Sequence, residues 1–212
     1  MTNVLFWIAL GCALVYLPLT ARPASTLRTI FKTLSVAALA FVAFAQGGPW
    51  LLVVALILCA TGDALLSRET DATFMVGIAS FAGGHLAYIA LFLTYPTSNA
   101  DLIWNAPATV WSLVILGIVM ATLLAPRAAD LKGPVLAYIP IILGMGIAVM
   151  ALPDAGALRW AFPAAIAFIA SDLILATEKF LLPPNHPALK ATPYLVWPLY
   201  WGAQLGFVLA FA

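Results

Sequence analysis

Charge is what this chain has least of. Asp, Glu, Lys and Arg make up 8% of its 212 residues, against about 25% in a soluble domain, while 65% are hydrophobic and the mean hydropathy is +1.09. That shortage excludes a water-soluble globular protein. A formal net charge of +1 leaves no basic surface for nucleic acid and no acidic tail, so partners are expected to be apolar or lipid-like. Histidine is scarcer still, with only His85 and His186 present, and His186 lies in a connector between prolines. A hydrolytic zinc site normally takes three protein ligands, so neither metal nor cofactor is expected. There is no Gly-x-Ser-x-Gly elbow and no glycine-rich phosphate cradle. Cys12 and Cys59 lie inside apolar runs, where a thiol acts as a small packing residue rather than as half of a disulfide. No Lys or Arg precedes the first apolar run, MTNVLFWIALGCALVYLPL, so it lacks the charged start of a cleavable signal peptide and is expected to be a retained span.

What the chain does have is eight apolar stretches, at 3–20, 28–45, 49–66, 74–94, 106–125, 133–151, 158–178 and 193–211. Each is long enough to cross a bilayer. Connectors with turn chemistry separate them, among them Gln46-Gly47-Gly48-Pro49, Arg68-Glu69-Thr70-Asp71 and Pro183-Pro184-Asn185-His186-Pro187. Nothing alternates with period two over ten-residue segments, so helices are expected rather than a barrel. The expected fold is an all-α membrane protein, residues 1–212 forming one transmembrane domain, a polytopic bundle of eight helices. Eight of the nine Lys and Arg residues fall in or beside the odd-numbered connectors. By the positive-inside rule those connectors face the cytoplasm and both termini the periplasm of a bacterial inner membrane. Thr61 to Ser67 resembles Ala170 to Ala176, and Gly84-His85-Leu86 can be laid on Ala203-Gln204-Leu205. These echoes suggest two parallel four-helix repeats.

Ionisable groups inside a span cost about 2.5 to 3.5 kcal/mol each on insertion scales, which makes them candidates for function. Lys32, Asp63, His85 and Asp172 are such groups, with Glu178 and Lys179 at the end of a span. At about 1.5 Å per residue, Lys32, Asp63 and Asp172 lie roughly 5 to 9 Å from the cytoplasmic ends of their spans. His85 and Gln204 lie nearer the midplane and Tyr200 between. Antiparallel helices thus bring these side chains into one slab, as a pocket opening to the cytoplasm would. Plainer roles exist for each. Lys32 can staple Asp63 or Asp172, His85 beside Gly83 and Gly84 can be a close helix contact, and Trp7, Trp50, Trp104, Trp160 and Trp197 can form an interfacial belt. From the residues alone, acid–base chemistry and coupled transport of a solute or ion both remain open, with a metal-dependent lipid amidase a weaker third option.

Phe31-Lys32-Thr33-Leu34, Gly62-Asp63-Ala64-Leu65-Leu66, His85-Leu86-Ala87-Tyr88, Ser171-Asp172, Lys179-Phe180 and Tyr200-Trp201-Gly202-Ala203-Gln204 occur in an order that resembles the YhhN family of eight-span membrane proteins. Thr33 departs from that family's pattern, which has Pro after this Lys. The family includes lysoplasmalogenases, which hydrolyse the vinyl ether bond of alkenyl lysophospholipids, releasing a fatty aldehyde and a glycerophospho-alcohol. The resemblance implies a lysophospholipid substrate taken from the bilayer. It implies Asp63 and Asp172 as the catalytic pair, Asp172 as acid and Asp63 as partner, with the reverse assignment open. Lys32 would sit near the phosphate or hold the ionised Asp, and His85, Tyr88, Tyr200 and Gln204 would orient water and the glycerol hydroxyl.

Overall fold

The computed structural model describes residues 2–68 and 70–212; Glu69, in the third connector, lies outside the described residues. Eight α-helices run through them: α1 (Thr2–Tyr16), α2 (Thr26–Ala45), α3 (Trp50–Leu66), α4 (Asp71–Thr94), α5 (Pro107–Leu124), α6 (Lys132–Ala148), α7 (Ala161–Phe180) and α8 (Pro193–Phe211). Among the described residues there is no strand. Six helical segments are long and apolar enough to cross a membrane, while Asn3–Leu19 and Trp50–Leu66 are shorter apolar helices. The chain is an all-helical integral membrane protein.

Local chemistry sets the helix ends. Ser25 accepts the Arg28 backbone N–H at 3.2 Å to start α2, and Thr70 accepts that of Thr73 to start α4, each satisfying an orphan donor of the first turn. Pro107 and Pro193 open α5 and α8, where a missing N–H costs nothing. Past the end of α2, Gly47 takes a φ of 74° that a side chain would resist, and Gly48 N–H returns to the Ala43 carbonyl at 2.9 Å.

Sequential helices pack as neighbours from α1 to α4, α7 packs on α8, and α6 bridges α4, α5 and α7. With lipid outside, close backbone approach rather than hydrophobicity drives such contacts. At Gly84 a Cβ would fall 2.9 Å from Cys59 Sγ, so α4 lies directly on α3. Gly206 of α8 meets the Ala164 Cβ of α7 in the same way, at 2.8 Å. Cys12 and Cys59 are free and buried.

Toward the even-connector end, α4 and α8 meet through an aromatic column. Tyr88 lies 4.3 Å from Phe207, ring centre to ring centre, and Phe92 lies 5.7 Å from Phe211. Tyr88, Phe92 and Phe207 have no exposed surface. Large apolar side chains elsewhere face outward, including Trp7, Trp50, Trp104 and Trp111, as a lipid-facing surface requires. Trp197 does not join that belt. It is buried between α1 and α8, its indole N–H donating to the Ala13 carbonyl at 3.0 Å, because a buried indole needs an acceptor and the last turn of α1 supplies one.

Candidate active site

All eight helices contribute to one cavity, about 250 Å³ in volume, at the end of the bundle that carries the odd-numbered connectors. Its wall is mostly aliphatic and aromatic: α5, α6 and α7 supply Leu116, Met120, Leu124, Val135, Ile139 and Leu173. Against that apolar surface stand Lys32, Asp63, Tyr138, Asp172 and Tyr200. The pattern of an apolar pocket with few convergent polar groups is that of a small-molecule site.

The two carboxylates have unlike surroundings. Asp63, in the last turn of α3, is fully buried; Lys32 Nζ of α2 lies 3.0 Å from its Oδ1, and the Tyr200 hydroxyl of α8 donates to its Oδ2 at 2.7 Å. Ser67 takes up the Asp63 backbone carbonyl at 2.7 Å, so the helix end is fixed around this residue. Asp172, on α7, keeps 17% of its side chain exposed and, among the described residues, has no Lys or Arg within ion-pair distance. Its Oδ2 instead accepts the Tyr138 hydroxyl of α6, and His85 Nε2 of α4 lies 3.7 Å away.

His85 is fully buried, packed edge-on to Phe168, and its Nε2 is 2.7 Å from the Tyr138 oxygen. A phenol has one proton. If Tyr138 gives it to Asp172, its oxygen must accept from His85, which fixes the Nε2–H tautomer. His85, Tyr138 and Asp172 therefore form a hydrogen-bonded chain running from the helix interior to the cavity wall.

Of the residues expected at the site, Lys32, Asp63, Asp172 and Tyr200 share the cavity wall. His85 reaches it through Tyr138. Tyr88 and Gln204 lie deeper and engage each other, the Tyr88 hydroxyl donating to Gln204 Oε1 at 2.5 Å, so they are not positioned to touch a ligand in this cavity. Among the described residues, the ion pair of Lys32 is with Asp63 and not with Asp172. Wall residues not foreseen as site residues include Tyr138, whose phenol inside the apolar run before Pro140 was the only signal, and Arg28, counted only as a topology-setting cation. Among the described residues no group of three or more His, Cys, Asp or Glu side chains is placed to hold a metal ion.

Comparison with known proteins adds a family. The profile of the YhhN family matches residues 27–211. The chain is also similar to lysoplasmalogenase TMEM86B of Homo sapiens, with 32% identity over 162 residues, which is 76% of this chain and 62% of that protein. It thus spans less than two thirds of the length of the curated relative it matches. No solved structure matches the chain.

Proposed function

The chain belongs to the YhhN family, and from that premise we propose that it hydrolyses the vinyl ether bond of alkenyl lysophospholipids inside the bilayer. The observation that carries this is the pair of carboxylates on one apolar cavity wall, one clamped by a cation and the other not. Vinyl ether hydrolysis begins when an acid protonates the vinyl carbon distal to the ether oxygen. The oxocarbenium ion so formed takes water at the carbon bearing that oxygen, and the water gives up a proton. The hemiacetal hydroxyl then gives up its proton as the bond to the glycerol oxygen breaks and that oxygen takes one up, leaving a fatty aldehyde and a free glycerol hydroxyl. Water is consumed and no redox change occurs.

The reaction asks one carboxyl to carry a proton and the other to carry charge, the division of labour seen in glycoside hydrolysis. Lys32 and Tyr200 suit Asp63 to the anionic role, opposite the developing cation. Asp172, without a cation and open to the cavity, suits the acid. After giving up its proton it can accept one from the attacking water, while Tyr138 and His85 hold its carboxyl in place. The alkenyl tail would lie along the aliphatic wall from α5, α6 and α7, so the lipid need not leave the membrane.

We further propose that all eight helices cross, as one transmembrane domain with both termini periplasmic and the cavity opening to the cytoplasm. The cation distribution supports that orientation. Two parallel four-helix repeats are supported by the partners of each Asp: the second helix of its own half supplies Lys32 or Tyr138, and the last helix of the other half supplies Tyr200 or His85. A cytoplasm-only reporter fused to Ala212 should stay silent; a strong signal would overturn the orientation.

The deciding experiment is aldehyde release by purified protein in detergent, with alkenyl and ester lysolipids compared and no ion gradient present. Release from the alkenyl substrate alone is expected. If neither substrate is consumed, the hydrolase reading falls and a transporter using the same buried groups takes its place.

A further inference from the structure

Two buried polar atoms on the cavity wall have neither a hydrogen-bond nor an ion-pair partner among the described residues: Arg28 Nε and Glu178 Oε1. Arg28 is in the first turn of α2 and Glu178 in the last turn of α7, so both stand at the mouth end of the cavity. The Thr192 hydroxyl stands beside the Glu178 carboxyl, but no nearby charge meets either group. Lys32 is taken by Asp63, the Lys179 ammonium lies over the Phe74 ring at 4.8 Å, and Arg28 Nη1 is spent on the Arg22 carbonyl at 3.0 Å. Among the described residues no ion pair includes Arg28 or Glu178. Both residues are only partly buried, and opposite charges left unjoined on one cavity wall suit a ligand that completes them both.

We propose that Arg28 and Glu178 form a headgroup subsite that reads a dipolar lysolipid, Arg28 taking the phosphate and Glu178 a cationic amine. A guanidinium edge suits phosphate oxygens, and a carboxylate suits an ammonium and repels an anionic headgroup. Depth agrees. Lys32, which clamps Asp63, is one turn further along α2 than Arg28, about 6 Å, and Asp172 precedes Glu178 by six residues of α7, about 9 Å. A phosphate held at Arg28 therefore hangs the sn-1 ether, a few bonds away, at the level of the two Asp residues. The subsite rests on the lysolipid reading above.

The test measures binding of 1-O-alkyl lysolipids, which carry no vinyl ether to cleave, to the full-length protein in nanodiscs. Their headgroups are phosphoethanolamine, phosphoglycerol or bare phosphate. The wild type should bind the ethanolamine form about tenfold more tightly than the glycerol form, roughly the effect of one close charge contact. Glu178→Gln should bring that ratio close to one and Glu178→Lys should invert it, while Arg28→Gln should weaken all three ligands. A wild-type ratio near one, or a preference unchanged in both Glu178 variants, overturns the subsite. Aldehyde release from the matching alkenyl lysolipids, run in parallel, separates the two readings. Headgroup discrimination without aldehyde removes the hydrolase and keeps the subsite; aldehyde without discrimination removes the subsite alone.

Discussion

Asp63 and Asp172 are the same residue type, each in the C-terminal half of its helix, and they live differently. Asp63 is sealed, with Lys32 at 3.0 Å and Tyr200 at 2.7 Å. Asp172 opens to the cavity and leans on a phenol that leans on an imidazole. The two carboxyls thus have partners of different kinds, a lysine ammonium on one side and a neutral phenol on the other. Sequence similarity between the two segments conceals that asymmetry, because the differences sit on other helices.

The contrast can be broken most sharply at the open side. Asp172→Asn should lower aldehyde release by about 10² or more, the scale of a general acid, while lysolipid binding and yield persist. A variant that kept more than about a tenth of wild-type turnover would remove Asp172 from the acid role. On the sealed side the expected damage is of another kind. Asp63→Asn leaves Lys32 buried without a counter-ion, so it should cost about 3 to 5 kcal/mol of stability, read as a lower melting temperature in detergent, as well as most turnover. Adding Lys32→Met should recover the stability and not the turnover; recovery of both would reduce Asp63 to a helix staple. Tyr138→Phe cuts the link between Asp172 and His85 and should lower kcat about tenfold with KM little changed, and its pH profile should shift relative to wild type. The smallest effect is expected from Tyr200→Phe, which removes one of two partners of Asp63. A loss of about 1 kcal/mol in stability with modest loss of turnover fits the sealed side, whereas a kcat loss exceeding that of Tyr138→Phe would reverse the comparison.

Hydropathy alone reveals where the helices run, since each apolar stretch of the sequence carries one and connector chemistry marks the ends. A fixed rise per residue also suggests that Lys32, Asp63 and Asp172 lie near one another along the bundle, and the three share one cavity wall. Azimuth was not readable. His85 and Tyr88 are three residues apart on one helix face, yet one meets α6 and the other α8, and nothing local to α4 distinguishes those neighbours. Tyr138 stayed hidden for a related reason, since a phenol in an apolar helix looks like any interfacial aromatic until its acceptor comes from another helix. Trp197 erred in the opposite sense: it flanks a span as a belt residue would, but the carbonyl of Ala13 holds it inside.

The aromatic column of Tyr88, Phe92, Phe207 and Phe211 bears on the cell's energy supply. A protein that brings water and exchangeable protons partway through a membrane risks short-circuiting whatever gradient that membrane maintains. Here the rings, three of them without exposed surface, fill the bundle beyond the cavity, and the Tyr88 hydroxyl is spent on Gln204 rather than offered to a water chain. In the reaction proposed above, that packing would confine proton exchange to the cavity's own end of the bundle, so that acid chemistry could run within the bilayer while its insulation stays intact.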